Sequence, residues 1–192
     1  LAFMDADDLC TPDRLSVELE KLESDRLDLV ASALSYIDGN GGVLPGELRC
    51  PAYGANDYWG ALLERNWIGT PSVLLRRSVL AVCGNFDERF SHSEDYDLWL
   101  RISVDYSVPL IPVSLVVKRG GHSDQLSHST WGMDRYRVQS LRKLLDAGLS
   151  GAKREWAIET LKRKISVLCQ GASKRGKEYE AAAYEGILSE VL

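Results

Sequence analysis

The stretch LAFMDADDLCTPDRL (1–15) sets three carboxylates, Asp5, Asp7 and Asp8, at the end of an apolar run. In an extended chain residues two apart point the same way, so Asp5 and Asp7 share one side. Carboxylates that close repel unless a positive charge lies between them. A divalent cation is the usual answer: magnesium and manganese prefer oxygen ligands, and often take one or two carboxylates while substrate phosphates complete the shell. The competing explanation is a solvated turn with a helix-capping role. Asp13 already fits that explanation, as a first-turn acid complementing the helix dipole. Spacing alone leaves both open.

Two other acid motifs fit less well. The haloacid dehalogenase-type phosphatases carry D-x-D-x-[TV] after an apolar strand, and here the fifth position is Leu9. A calcium-binding EF-hand loop wants Gly at its sixth position and Glu at its twelfth. Counted from Asp5, those positions hold Cys10 and Ser16. A second acidic element lies in GNFDERFSHSEDYDLWLRIS (84–103). There Leu98, Trp99 and Ile102 make the apolar face of a helix. Asp95, three before Leu98 and seven before Ile102, belongs to that inward face at the helix start. Glu94 and Asp95 also read as ordinary first-turn acids.

The chain that must position these acids has 192 residues, long enough for a proper core. With 45% hydrophobic and 27% charged residues it has the composition of a globular domain. A net charge of −5 gives no basic field for nucleic acid. Cys10, Cys50, Cys83 and Cys169 are widely spaced, with no C-x-x-C pair or zinc spacing, and read as reduced, buried thiols. No apolar run approaches the ~18 residues of a membrane span.

Residues 1–4 read as a buried strand. Thr11 reads as an N-cap with Pro12 at the first helical position, and Leu15, Leu19 and Leu22 as the inner stripe of a helix over about 12–24. Strands are expected at 28–37, 71–77 and within 107–119, the last broken by prolines that suit an edge or bend. DGNGG (38–42) is a turn and 43–55 a loop. Helices are expected at 56–66, capped by Asn56, at 78–84, ended by Gly84, and at 94–105. The pattern is helical again over 131–147, 152–170 and 177–190. Strands alternating with helices, then helices alone, argue for an α/β domain with a helical C-terminal extension.

Four stretches, in order, resemble a family 2 glycosyltransferase of the GT-A fold: FMDADDLCTPDRL (3–15), GTPSVLLRRSVL (69–80), CGNFDERF (83–90) and EDYDLWLRIS (94–103). VVKRGGHSDQLS (116–127) is similar to the basic-His segment of that family. The resemblance covers about 1–130 and leaves 131–192 as an extension. It implies an α/β fold, a partial GT-A mixed sheet lacking its N-terminal nucleotide-binding half, so that the chain is expected to be the C-terminal part of a longer enzyme.

The activity implied is transfer of a sugar from a nucleotide-diphosphate donor to an acceptor hydroxyl with inversion. Asp5 and Asp7 would hold Mn²⁺ or Mg²⁺, His122 would approach the metal, and Arg119 would meet the diphosphate. Asp95 would be the general base, with Glu94 and Trp67 on the acceptor side, Trp67 offering a stacking face. The acceptor would be a glycan or a lipid-linked sugar, in cell-surface polysaccharide synthesis. A cytoplasmic site is expected, peripheral to the inner face of the plasma membrane, because residues 153–177 hold eight Lys or Arg against two acids. Strands 1–4 and 71–75, apolar on both faces, predict self-association. Two rivals are a non-catalytic interaction domain with a vestigial site and a metal-dependent phosphohydrolase.

Overall fold

Strand β2 (Leu29–Ile37) is the spine of the fold in the computed structural model, which describes residues 1–48, 58–120 and 132–191. β5 (Leu110–Arg119) runs parallel along one side of β2. The other side is shared by two antiparallel strands, β3 (Val43–Leu48) against residues 34–37 and β4 (Val73–Leu75) against residues 29–31. β1 (Leu9–Cys10) pairs antiparallel with the outer side of β5. The sheet is therefore mixed, as expected for this α/β class.

Residues 1–4 do not form the expected buried strand. Ala2 makes one antiparallel bridge to Leu74, while Leu1 and Met4 are 43% and 45% exposed. The chain leaves the β4 side of β2 at Phe3, whose N–H donates to the Val73 carbonyl, and rejoins the sheet on the β5 side as β1. Residues 4–8, the acidic stretch, must therefore cross from one side of β2 to the other.

The prolines act where the ladders are irregular. Along β2 and β5 the pairing jumps from Ser32↔Ile111 to Ala33↔Ser114, so Pro112 and Val113 bulge outward. Pro112 has no N–H to give to a ladder. β3, expected as a loop, hides the same device: pairing passes from Tyr36↔Leu44 to Ser35↔Glu47 and skips Pro45 and Gly46.

Helix α1 (Arg14–Ser24) begins two residues later than expected, after a Pro12–Asp13 turn, and Thr11 contributes a carbonyl rather than a side-chain cap. Its buried face also differs. Leu15 and Leu19 are exposed, and Arg14, Glu18 and Leu22 face the sheet. Leu22 packs with Val30, Ile111 and Leu115 on that side. On the opposite side lie α2 (Tyr58–Glu64), α3 (Arg77–Cys83) and α4 (Glu94–Asp105). Gly84, at φ +80, ends α3 as its glycine predicts. Asn56 lies outside the described residues.

The C-terminal helices α5 (Asp134–Asp146), α6 (Gly151–Ser173) and α7 (Glu178–Val191) join the same core. Val138, Leu141, Leu161 and Ile165 pack with Trp59, Tyr96 and Trp99 in one continuous cluster. Much of the basic charge of 153–177 is engaged: Lys164 is buried against Asp134, while Arg163, Lys162 and Lys177 pair with Glu64, Glu159 and Glu180. No helix among the described residues is long and apolar enough to cross a membrane. The described cysteines are free thiols; Cys10 is exposed rather than buried, and Cys83 and Cys169 are half-buried.

Candidate active site

The three acids of the crossing stretch take different roles. Asp8 turns inward, is 6% exposed, and accepts from the Arg119 N–H at 2.9 Å. Burial pushes its carboxyl above the ordinary value, against the pull of that N–H and of Lys118. Asp8 is thus the staple that fixes the crossing to the end of β5. Asp5 stays partly exposed, and Lys118 Nζ donates to its Oδ2 at 2.7 Å and to Asp8 Oδ2 at 3.4 Å. Burial draws the Lys118 ammonium down, but Asp5 and Asp8 outweigh it and hold it above the usual lysine value. Asp7 is exposed, and its carbonyl accepts from Arg119 Nε at 3.3 Å.

Arg119 also donates to the carbonyls of Asp38 and Gly39, each at 3.3 Å. Its guanidinium laces the acidic crossing to the β2–β3 turn. That turn is built by Asp38, whose Oδ1 accepts from the N–H groups of Asn40 and Gly42, each at 2.8 Å. His122 lies outside the described residues.

Beneath the crossing, Arg14 is 2% exposed and Glu18 wholly buried. Arg14 Nε donates to Glu18 Oε1 at 3.1 Å and Nη1 to the Phe3 carbonyl at 3.0 Å, while Ser32 Oγ donates to the same Glu18 oxygen at 3.3 Å. Burial raises the Glu18 carboxyl above its ordinary value, with Arg14 opposing. The pair holds the last residue before the crossing by its backbone. Phe3 itself sits edge-on to Phe86 and Trp99, with ring centroids 5.7 and 6.1 Å away. This aromatic trio joins the acidic crossing, the 84–93 loop and α4.

α4 carries the second acid. Ser93 precedes it in the left-handed region at φ 59, one of two described non-glycine residues there, a conformation that costs free energy and recurs at functional sites. Asp95 is half-buried; its Oδ1 accepts from the Tyr96 N–H at 2.7 Å and its Oδ2 from Asn66 Nδ2 at 2.8 Å. Burial, and then the neighbouring Glu94, push its carboxyl up to about 6, against the Tyr96 N–H, Asn66 and the charge of Lys118. The charge of Lys118 therefore reaches Asp95 as well as Asp5 and Asp8. A carboxyl near 6 changes protonation close to neutral pH, which suits proton abstraction.

Glu94 is half-buried beside Asp95. Trp67 is half-buried with the Arg65 guanidinium 4.8 Å from its ring centroid, so one of its two faces is covered. The fold thus brings Asp5 and Asp8 to Lys118 and the Asp7 backbone to Arg119, while Asp95 is linked to them only through the charge of Lys118. Sequence reasoning missed Lys118, Asp8, Asn66 and Arg14. All but Asn66 stand inside quoted motifs, but only the strand pairing of β1 with β5 reveals the partnership of Lys118 with Asp8.

Among the described residues no group of three or more His, Cys, Asp or Glu is arranged to hold a metal ion. Asp5 is already paired with Lys118 at 2.7 Å, so an Mn²⁺ or Mg²⁺ ion held by Asp5 and Asp7 would have to displace that lysine and take the rest of its shell from a diphosphate.

No family model matches the chain. It is 31% identical over 121 residues to an uncharacterized glycosyltransferase of Methanocaldococcus jannaschii, covering 62% of this chain and 41% of that protein. It is 32% identical over 106 residues to the O-antigen biosynthesis glycosyltransferase WbnJ of Escherichia coli, covering 53% and 39%. Among solved structures, S. aureus TarS 1-349 in complex with UDP-GlcNAc superposes with a TM-score of 0.56 at 10% identity, over 98% of this chain and 67% of that one. The fold is therefore like that of TarS 1-349 over nearly the whole chain, and the curated relatives are named glycosyltransferases. The chain spans about two fifths of the length of the curated relatives it matches.

Proposed function

We propose that this chain is the acceptor-side part of an inverting family 2 glycosyltransferase of the GT-A type, which transfers a sugar from a nucleotide-diphosphate donor to an acceptor hydroxyl. The observation that carries this is Asp95 at the start of α4, its two oxygens held by Asn66 Nδ2 at 2.8 Å and the Tyr96 N–H at 2.7 Å, with burial pushing its carboxyl up. Inversion by a single displacement requires a base on the acceptor face and a neutralised leaving group on the other. Asp95 takes the acceptor proton as the hydroxyl attacks, with Asn66 and the Tyr96 N–H orienting its two oxygens. Glu94 and the open face of Trp67 hold the acceptor. On the donor side, Asp7 with Asp5 would hold Mn²⁺ or Mg²⁺, which supplies charge neutralisation to the diphosphate. Lys118 and Arg119 add positive charge at the same strand end. UDP-GlcNAc bound to TarS supports a nucleotide sugar as donor. The O-antigen role in the WbnJ name supports a glycan acceptor. In this reading the acceptor is a glycan or a lipid-linked sugar handled at the cytoplasmic face of the membrane.

The test is a pair of variants in the complete protein. Asp95→Asn leaves donor binding intact and lowers turnover at least about a hundredfold. Asp7→Asn abolishes manganese-dependent donor binding, read by isothermal titration. Near-normal turnover in Asp95→Asn, with loss in Glu94→Gln, would move the base to Glu94. Unchanged donor affinity in Asp7→Asn would remove the metal from that residue.

A further inference from the structure

Helix α5 presents Tyr136, Ser140 and Lys143, spaced by four and three residues, on one helical face. Two of them meet the loop that leads into Asp95. Lys143 Nζ donates to Asp87 Oδ2 at 2.7 Å and to Asp97 Oδ2 at 2.9 Å. It also lies 5.4 Å from the Phe90 ring centroid. Tyr136 stacks on the His92 ring at 5.1 Å, and its hydroxyl accepts from Ser91 Oγ at 3.2 Å. The α5 face thus contacts Asp87, Phe90, Ser91 and His92 in turn.

We propose that Lys143 is a positioning residue: by bridging Asp87 to Asp97 it orders the 85–93 loop on α4 and so sets Asp95 and the acceptor's approach to it. The two carboxylates it joins have unequal burial. Asp97 is 1% exposed in its side chain and Asp87 10%. Asp97 keeps a second partner in Arg101, at 2.9 Å, and Asp87 keeps Arg89, at 2.7 Å. Arg101 in turn donates to the carbonyls of Cys83 and Asn85. Loss of Lys143 therefore leaves neither acid bare, so the core stands and Arg101 and Trp99 still hold residues 85 and 86 to α4, while the loop from Asp87 onward loses its bridge to Asp97. Lys143 lies outside 1–130, where the glycosyltransferase resemblance ends, so the helical extension takes part in building the acceptor side.

This inference rests on the transferase reading, and its test separates the two. In Lys143→Met, amide exchange over 85–93 accelerates about tenfold while the melting temperature falls by only a few degrees. In sugar transfer, turnover drops about tenfold with the donor KM within twofold, and Lys143→Arg restores both exchange and turnover. Unchanged exchange in Lys143→Met overturns the proposal. So does faster exchange with unaltered turnover, and so does a parallel collapse of melting temperature and donor binding, which would mark a purely structural lysine. A wild-type protein inert toward every nucleotide sugar would sink the transferase reading, and the exchange arm would still decide whether Lys143 orders the loop.

Discussion

Asn66 and Glu94 act on Asp95 with opposite sign, and this gives a test that needs no substrate. Asn66 donates to Asp95 Oδ2 at 2.8 Å and so favours the carboxylate, whereas Glu94 disfavours it. A hydrogen bond to a charged group contributes about 1.5–3 kcal/mol. Asp95 is half-buried, so water replaces part of that donor, and a net loss of about 1 kcal/mol is expected in Asn66→Ala. At about 1.36 kcal/mol per pKa unit, the Asp95 carboxyl rises from about 6 by roughly 0.7 units. Glu94→Gln removes a like charge and moves it down. Carboxyl NMR titration of Asp95 reads both. In the transferase, kcat/KM rises as pH passes upward through about 6, and its midpoint moves with the NMR value. The raised pKa has a stability consequence of definite sign. The folded state holds the proton more tightly than the unfolded chain, so stability falls as pH climbs from about 4 through about 6. Two variants that shift Asp95 in the same direction, or not at all, would refute the assignment of its environment.

Other outcomes follow from packing. Arg14→Met strands the buried Glu18 carboxylate and lowers stability by about 3–5 kcal/mol, read by urea unfolding, while Arg14→Met/Glu18→Leu recovers most of that loss; a double variant no better than the single one would contradict the pairing. In Gly69→Ala the added Cβ collides with Leu34 Cδ1 inside the core, at an unstrained φ of −79, and stability falls by about 1–3 kcal/mol. A neutral thermal melt for that variant would mean the 3₁₀ turn at 70–72 shifts freely.

Helix α4 was legible from the sequence alone: its span over 94–105 follows from the spacing of Leu98, Trp99 and Ile102, because periodicity within one helix is a local property, but the acid it buries fully is Asp97, and Asp95 is half-buried. Gly84 as a helix stop and the 38–42 turn were legible for the same reason, since each depends on one residue's own backbone or side chain. The buried face of α1 was not. Leucine spacing pointed to Leu15 and Leu19, but Arg14 and Glu18 go inward because the sheet offers them the Phe3 carbonyl and Ser32, partners the helix itself cannot display. β3 was hidden because Pro45 and Gly46 suggest a loop until a bulge in the β2 pairing absorbs them. The basic count over 153–177 overstated free charge, since burial and ion pairing depend on which helix lies opposite. The acids at 5–8 announced a charged strand end, but their division of labour was settled only when β5 came alongside β1. That pairing brings Lys118 to Asp5 and Asp8 across more than a hundred residues of chain, and the choice of a counter-charge at such separation is a property of the closed sheet, not of the residues around each acid.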